Sequence, residues 1–199
     1  MTKLYEIRKT TGHNFIQPAV RFLARTPITP TTLTWIGFWL AVVAAVLIAL
    51  GYLWVAGLVL LFAGLFDLLD GALARYTNRT TRFGAILDST LDRLSEGAVL
   101  LGVSAFYARE PSTIGVLLAG VALLGSLLVS YLRARGEAEG LECQGGLFTR
   151  PERVIVLALG LLLSYFNYAL ITALSIIVIL SFITAGQRLV HLWRETKDR

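Results

Sequence analysis

The chain is 199 residues long, 56% hydrophobic and only 16% charged, with a mean hydropathy of +0.70 and a formal net charge of +5. Soluble domains average about 45–50% apolar and about 25% charged residues, so this balance excludes an ordinary soluble enzyme and points to a membrane protein. Cys143 is the only cysteine, which excludes an intrachain disulfide.

Taken in chain order, the N-terminal stretch MTKLYEIRKTTGHNF is polar and lacks the apolar core and small-residue cleavage site of a signal peptide. Insertion must then rely on internal segments. Residues Ile16 to Thr26 read as a short juxtamembrane amphipathic helix whose basic side chains suit anionic headgroups. Residues 33–50 are uncharged and long enough to cross a bilayer. Residues 53–75 are apolar until Asp67, then hold Asp70 and Arg75. Residues 84–107 carry Asp88, Asp92, Arg93 and Glu96 in their first half and are apolar afterwards. Residues 113–132 form another apolar run, and 154–187 form a longer one. As one helix the last would extend about 51 Å against a hydrocarbon core of about 30 Å. It must therefore turn, at Tyr165-Phe166-Asn167-Tyr168. The helix before that turn starts near Arg150-Pro151, since proline suits a first helical position. The expectation is an all-α integral membrane protein with six transmembrane helices in a single domain over residues 1–199.

Charge placement gives the orientation. All but Arg109 of the 18 Lys and Arg residues fall at the N-terminus, in the second-to-third and fourth-to-fifth connections, or at the C-terminus. By the positive-inside rule both termini are cytoplasmic, in a multi-pass protein of the plasma membrane.

Asp67, Asp70, Asp88 and Asp92 are the costly feature. A carboxylate at the centre of a spanning helix costs roughly 2.5–3.5 kcal/mol on insertion scales. Asp67 and Asp70 are spaced i, i+3, and Asp88 and Asp92 are spaced i, i+4, so each pair shares a helix face. The polar segment from Tyr76 to Phe83 is short, which makes the two helices antiparallel neighbours and brings the four acids together. Such a cluster repels itself unless it encloses positive charge. Hard divalent cations take carboxylate oxygens, and Mg²⁺ commonly adds substrate phosphates. Two ions about 4 Å apart can stabilise both oxygens of a displacement at phosphorus. Gly71 and Gly84 allow close approach. Two other readings compete: Asp–Arg pairs with Arg75 and Arg93 that merely fix helix packing, and a proton or cation relay in a transporter.

Asp67-Leu-Leu-Asp70-Gly71-Ala-Leu-Ala74-Arg75, followed after eight residues by Gly84-Ala-Ile-Leu-Asp88-Ser-Thr-Leu-Asp92, resembles the CDP-alcohol phosphotransferase motif at every fixed position. The resemblance implies a dimeric six-helix fold with a di-metal site at the cytoplasmic face. It implies that Asp67, Asp70, Asp88 and Asp92 hold two Mg²⁺ ions (Mn²⁺ being the alternative), and that Asp92 is the general base on the acceptor hydroxyl. Asp67, Gly71, Ala74 and Arg75 would surround the CDP moiety of CDP-diacylglycerol, and the family reaction releases CMP.

A second basic region runs from Ser130-Tyr-Leu-Arg133-Ala134-Arg135 through Arg150-Pro151-Glu152-Arg153, with Gln187-Arg188 near the end. Guanidinium forks bind phosphate bidentately, but positive-inside topology also accounts for basic residues here. These stretches resemble the phosphatidylinositol-phosphate synthase subgroup. That resemblance implies that Arg133, Arg135, Arg153 and Arg188 bind the phosphate of inositol phosphate. Arg133 stands where the subgroup usually has Lys, Gly136 where it has Ala, Thr149 where it has Glu, and Thr31 where the family often has Asn or Asp. Glycerol 3-phosphate as acceptor, or an ether-lipid donor, therefore stays open. His13 and His191 have no metal-ligand spacing. Ser89 and Ser130 have no nearby His to form a hydrolase triad. No feature calls for a nucleic-acid partner.

Overall fold

The computed structural model describes residues 17–110, 112–141 and 146–197. His13, Cys143 and the start of the expected amphipathic segment at Ile16 lie outside the described residues. Residues 17–23 are helical (α1). Six longer helices follow: α2 (Pro30–Ala49), α3 (Leu53–Tyr76), α4 (Arg82–Arg109), α5 (Thr113–Ala138), α6 (Arg150–Leu162) and α7 (Ala169–Lys197). No strand occurs among the described residues.

Local chemistry marks the helix starts. Thr29 caps α2 by accepting the Thr32 N–H at 3.2 Å, ahead of Pro30 in the first turn. Thr81 caps α4 by accepting the Gly84 N–H at 2.9 Å, and Ser112 caps α5 by accepting the Gly115 N–H at 3.3 Å. At α6 the backbone N–H of Thr149 donates to the Glu152 carboxylate at 2.8 Å, within a capping box. Helix ends are turned by Gly51 at φ 90 after α2 and Asn78 at φ 52 after α3; asparagine is one of the few side-chain-bearing residues that tolerate the left-handed region.

The predicted turn at Tyr165–Tyr168 falls in the non-helical segment between α6 and α7. Two helices outrun the apolar segments that predict them. The 113–132 run continues as helix to Ala138, because its polar last turns are supported by i, i+4 pairs: Arg133–Glu137 at 2.8 Å and Arg135–Glu139 at 2.6 Å. Helix α7 runs on to Lys197.

α2, α3, α5 and α7 are each long and apolar enough to cross a membrane. α4 carries its charges in its first half, and α6, with 13 residues, is about 20 Å long. The outward sides expose large apolar residues, such as Trp39, Val43 and Val46 on α2 and Phe62 and Leu65 on α3. Water would not tolerate a continuous surface of this kind, whereas lipid does. The chain is thus an all-α, multi-pass integral membrane protein.

Packing follows small residues. Ala41, Ala44, Ala45 and Ile48 on α2 enter the main core with Leu60 and Ala63 of α3 and with Val99, Leu100 and Val103 of α4. Gly102 of α4 lies directly over the backbone carbonyl of Ala45, where a Cβ would collide. Gly160 of α6 meets the Ala173 side chain of α7 in the same way. One expectation needs correction. α3 and α4 are consecutive, but they hardly touch; α2 packs against both, and α6 packs against α3. The short connection over residues 77–81 ties their ends, while the small-residue face of α2 draws each of them to itself along its length.

Candidate active site

At the tied ends, the two aspartate pairs converge. Carboxylate oxygens of Asp67, Asp70 and Asp88 all lie within 4.8 Å of one another. Asp70 is 4% exposed, and its Oδ2 has no hydrogen-bond partner among the described residues. Asp67 and Asp88 are half-buried. A buried carboxylate oxygen without a donor is costly. Three acids this close, all hard oxygen donors, fit a divalent cation of the Mg²⁺ or Mn²⁺ class.

Asp92 is not one of these three but lies beside Asp67, and a single cation ties the two together. One guanidinium nitrogen of Arg150, NH1, sits 2.6 Å from Asp67 Oδ1 and 2.7 Å from Asp92 Oδ1. Arg150 begins α6, so the capping box at Thr149–Glu152 also aims this side chain into the cluster. One turn further along α6, Arg153 grips Glu96 of α4 through Nε and NH2 at 2.6 and 3.0 Å. The expected packing partners of the aspartates, Arg75 and Arg93, are placed elsewhere. Arg93 donates to the backbone carbonyl of Ser89 in its own helix. Arg75 is exposed in the last turn of α3, with its guanidinium folded back over Gly71, where a Cβ would lie 3.3 Å from NH1. Ala74 is half-buried beside it.

Two cavities meet at the aspartates. The gap left between α3 and α4 is an apolar cavity of about 270 Å³, lined by residues such as Phe38, Leu60, Leu65 and Leu100, with Asp67, Asp70 and Asp92 along its wall. The second, of about 910 Å³, is the more polar of the two and lies against α4, α5, α6 and α7. Arg133, Arg153 and Arg188 line it together with Asp88 and Asp92. Arg188 is buried and donates from NH1 to the Val129 carbonyl at 2.6 Å. Gly146 packs so closely on Arg188 that a Cβ there would sit 3.3 Å from its Nε and NH2. Arg135 is not brought into this set: its side chain is 62% exposed and paired with Glu139.

Two residues of the site, Arg150 and Glu96, have no role in the sequence expectation. Their signal was present as spacing: Glu96 follows Asp92 by four residues and Arg153 follows Arg150 by three, so each helix offers two like charges on one face.

Residues 27–189 match the family model of the CDP-alcohol phosphatidyltransferases. The chain is 38% identical over 203 residues to the phosphatidylinositol phosphate synthase of Mycobacterium tuberculosis (strain ATCC 25618 / H37Rv), covering 97% of this chain and 92% of the relative. It is 39% identical over 185 residues to the archaetidylinositol phosphate synthase of Methanothermobacter thermautotrophicus, covering 92% and 91%. Among solved structures, the M. tuberculosis phosphatidylinositol phosphate synthase with CDP-DAG bound superposes with a TM-score of 0.78 at 39% identity, covering 88% of this chain and 92% of that one. The same synthase in complex with manganese and citrate gives a TM-score of 0.79 at 38% identity, with 88% of each chain covered.

Proposed function

Because this chain belongs to the CDP-alcohol phosphatidyltransferase family, we propose that it transfers the phosphatidyl group of CDP-diacylglycerol to inositol phosphate, giving phosphatidylinositol phosphate and CMP. The observation that carries the donor half is the trio Asp67, Asp70 and Asp88, of which Asp67 and Asp70 also line an apolar cavity. A lipid nucleotide needs both: charged machinery for its pyrophosphate and an apolar bed for its lipid part. The observation that carries the acceptor half is Arg133, Arg153 and Arg188 lining a polar cavity that shares Asp88 and Asp92 with the first site. Serine, having no phosphate, would make no use of three guanidinium groups.

Asp67, Asp70 and Asp88 hold the divalent cation, with Asp92 completing a two-ion Mg²⁺ site. When bound, the metal neutralises the pyrophosphate and stabilises the CMP leaving group. The remaining steps belong to the chain. Gly71, Ala74 and Arg75 flank the nucleotide on the outer face of α3. Arg133, Arg153 and Arg188 fix the acceptor's phosphate, with Arg135 at the rim, and so bring one hydroxyl against Asp92. Asp92 takes the proton from that hydroxyl as its oxygen attacks the phosphorus bearing the diacylglycerol. Arg150, now bridging Asp67 and Asp92, releases Asp92 as the substrates arrive. Most of the rate enhancement then comes from positioning and electrostatic stabilisation.

In this reading the chain makes six crossings, with α4 and α6 completing the bundle, and the aspartates lie at the cytoplasmic face of the plasma membrane, where a soluble inositol phosphate reaches them; the clustering of Lys and Arg at that face supports it. Helix α1 lies on that surface, and the assembly is a homodimer, as in the family resemblance. The test is CMP release by purified protein given CDP-diacylglycerol, Mg²⁺ and single acceptors. Release with inositol phosphate is expected. Release with glycerol 3-phosphate alone would refute the acceptor, and no release with any acceptor would refute the enzyme.

A further inference from the structure

Two helices face each other across the shared wall of the two cavities as a ladder of charge. α4 contributes Asp92 and, one turn on, Glu96. α6 contributes Arg150 and, one turn on, Arg153. The rungs are Asp92–Arg150 at 2.7 Å and Glu96–Arg153 at 2.6 Å. The second rung is the more enclosed: the side chain of Glu96 is 12% exposed and that of Arg153 only 3%. Desolvating two charges is expensive, and an apolar pair of similar volume often packs as well or better. The geometry of this rung goes beyond charge neutralisation. Glu96 occupies the Nε and NH2 edge of the guanidinium with both of its oxygens, which fixes the plane of the fork. NH1 is left buried, with no hydrogen-bond partner among the described residues. Both residues line the polar cavity and the apolar one.

We propose that Glu96 is a positioning residue for the acceptor: it clamps one edge of Arg153 so that the NH1 edge is presented to an anionic oxygen of the phosphorylated alcohol. Glu96 itself does not touch substrate. It has a second consequence. With the Glu96 carboxylate gone, the acid on the same face of α4 is Asp92, one turn away. Arg153 is then drawn toward the group that must accept the hydroxyl proton. Glu96 thus keeps the anion-binding arginine and the proton acceptor from pairing with each other. This inference rests on reading the polar cavity as the acceptor site.

The test compares Glu96→Gln, Glu96→Asp, Arg153→Lys and the double variant Glu96→Gln/Arg153→Lys in the CMP-release assay, with both substrates varied. A charge-assisted contact to phosphate lost through misplacement of Arg153 raises the acceptor KM by about 10-fold or more relative to the donor KM. In Glu96→Gln the acceptor-to-donor KM ratio rises by that factor. In Glu96→Asp, whose shorter side chain keeps the charge but loses the bidentate grip, it rises less. The double variant is no worse than the more impaired single one, because Glu96 acts through Arg153. Equal changes in both KM values, or effects that multiply in the double variant, overturn the proposal. Metal-induced thermal stabilisation, measured on each variant, separates misfolding from misplacement: a variant that keeps this shift and an unchanged KM ratio also overturns it. If no phosphorylated acceptor makes the unsubstituted protein release CMP, the functional reading itself fails. An active protein indifferent to Glu96 sinks this inference alone.

Discussion

Asp70→Asn separates a metal-binding cluster from a packing motif, because the two readings predict opposite changes in stability. Asp70 shares its cluster with Asp67 and Asp88, all with oxygens within 4.8 Å of one another. Two unit charges at that distance repel by about 3.5 kcal/mol at an effective dielectric of about 20. Asp70 takes part in two such pairs, a gross repulsion of about 7 kcal/mol in the metal-free protein. Partial exposure of Asp67 and Asp88, together with the Arg150 cation 2.6 Å from Asp67, reduces this to a net effect of about 1–2 kcal/mol. Asparagine keeps the shape and removes the charge. In a chelator the variant therefore melts higher than the unsubstituted protein, by about 2–4 °C for each kcal/mol. In Mg²⁺ the order reverses. The unsubstituted protein gains stability by mass action, whereas Asp70→Asn has lost its most buried ligand and shifts little. Thermal unfolding in detergent, with and without Mg²⁺, reads both effects. A variant that melts several degrees lower in chelator, or keeps the full Mg²⁺ shift, refutes the metal assignment.

Asp92→Asn lowers kcat for CMP release by about 100-fold or more, while the part of the Mg²⁺-induced stabilisation that Asp67, Asp70 and Asp88 carry survives; an unchanged kcat would argue against its role as base. Arg150→Ala removes the cation 2.6 Å from Asp67. The metal-free protein then melts lower, and the Mg²⁺ concentration for half-maximal stabilisation falls by about 10-fold, equivalent to about 1.4 kcal/mol; an unchanged midpoint would show that Arg150 and the metal do not compete. Gly102→Ala places a Cβ against the Ala45 backbone carbonyl and costs about 1–3 kcal/mol of stability by overpacking, seen as a lower melting temperature with the Mg²⁺ shift retained.

What the sequence by itself determined was whatever depends on composition and on spacing within one helix. The membrane class, the turn within 154–187, the start of α6 at Arg150 and the pairing of Asp67 with Asp70 and of Asp88 with Asp92 are of this kind. Apolar length, capping chemistry and the 3.6-residue period are local, so a linear reading reaches them. The convergence of Asp67, Asp70 and Asp88 was also legible, because the connection between α3 and α4 is too short to keep their ends apart. What only the tertiary structure decided depends on which helix lies opposite which. The short connection implied that α3 and α4 pack together, yet the small-residue face of α2 holds each of them and leaves a cavity between. Arg133 and Arg135 differ by two positions, so on one helix they point in different directions: Arg133 lines the polar cavity and Arg135 faces out. Arg150 lies 83 residues from Asp67 in the chain, and no periodicity links them. The four aspartates could be read as a cluster from their own spacing, but the cation that answers them, and the Glu96–Arg153 pair beside it, exist only because α6, packed on α3 and α7, reaches α4's acidic face with its Arg150 and Arg153 side chains.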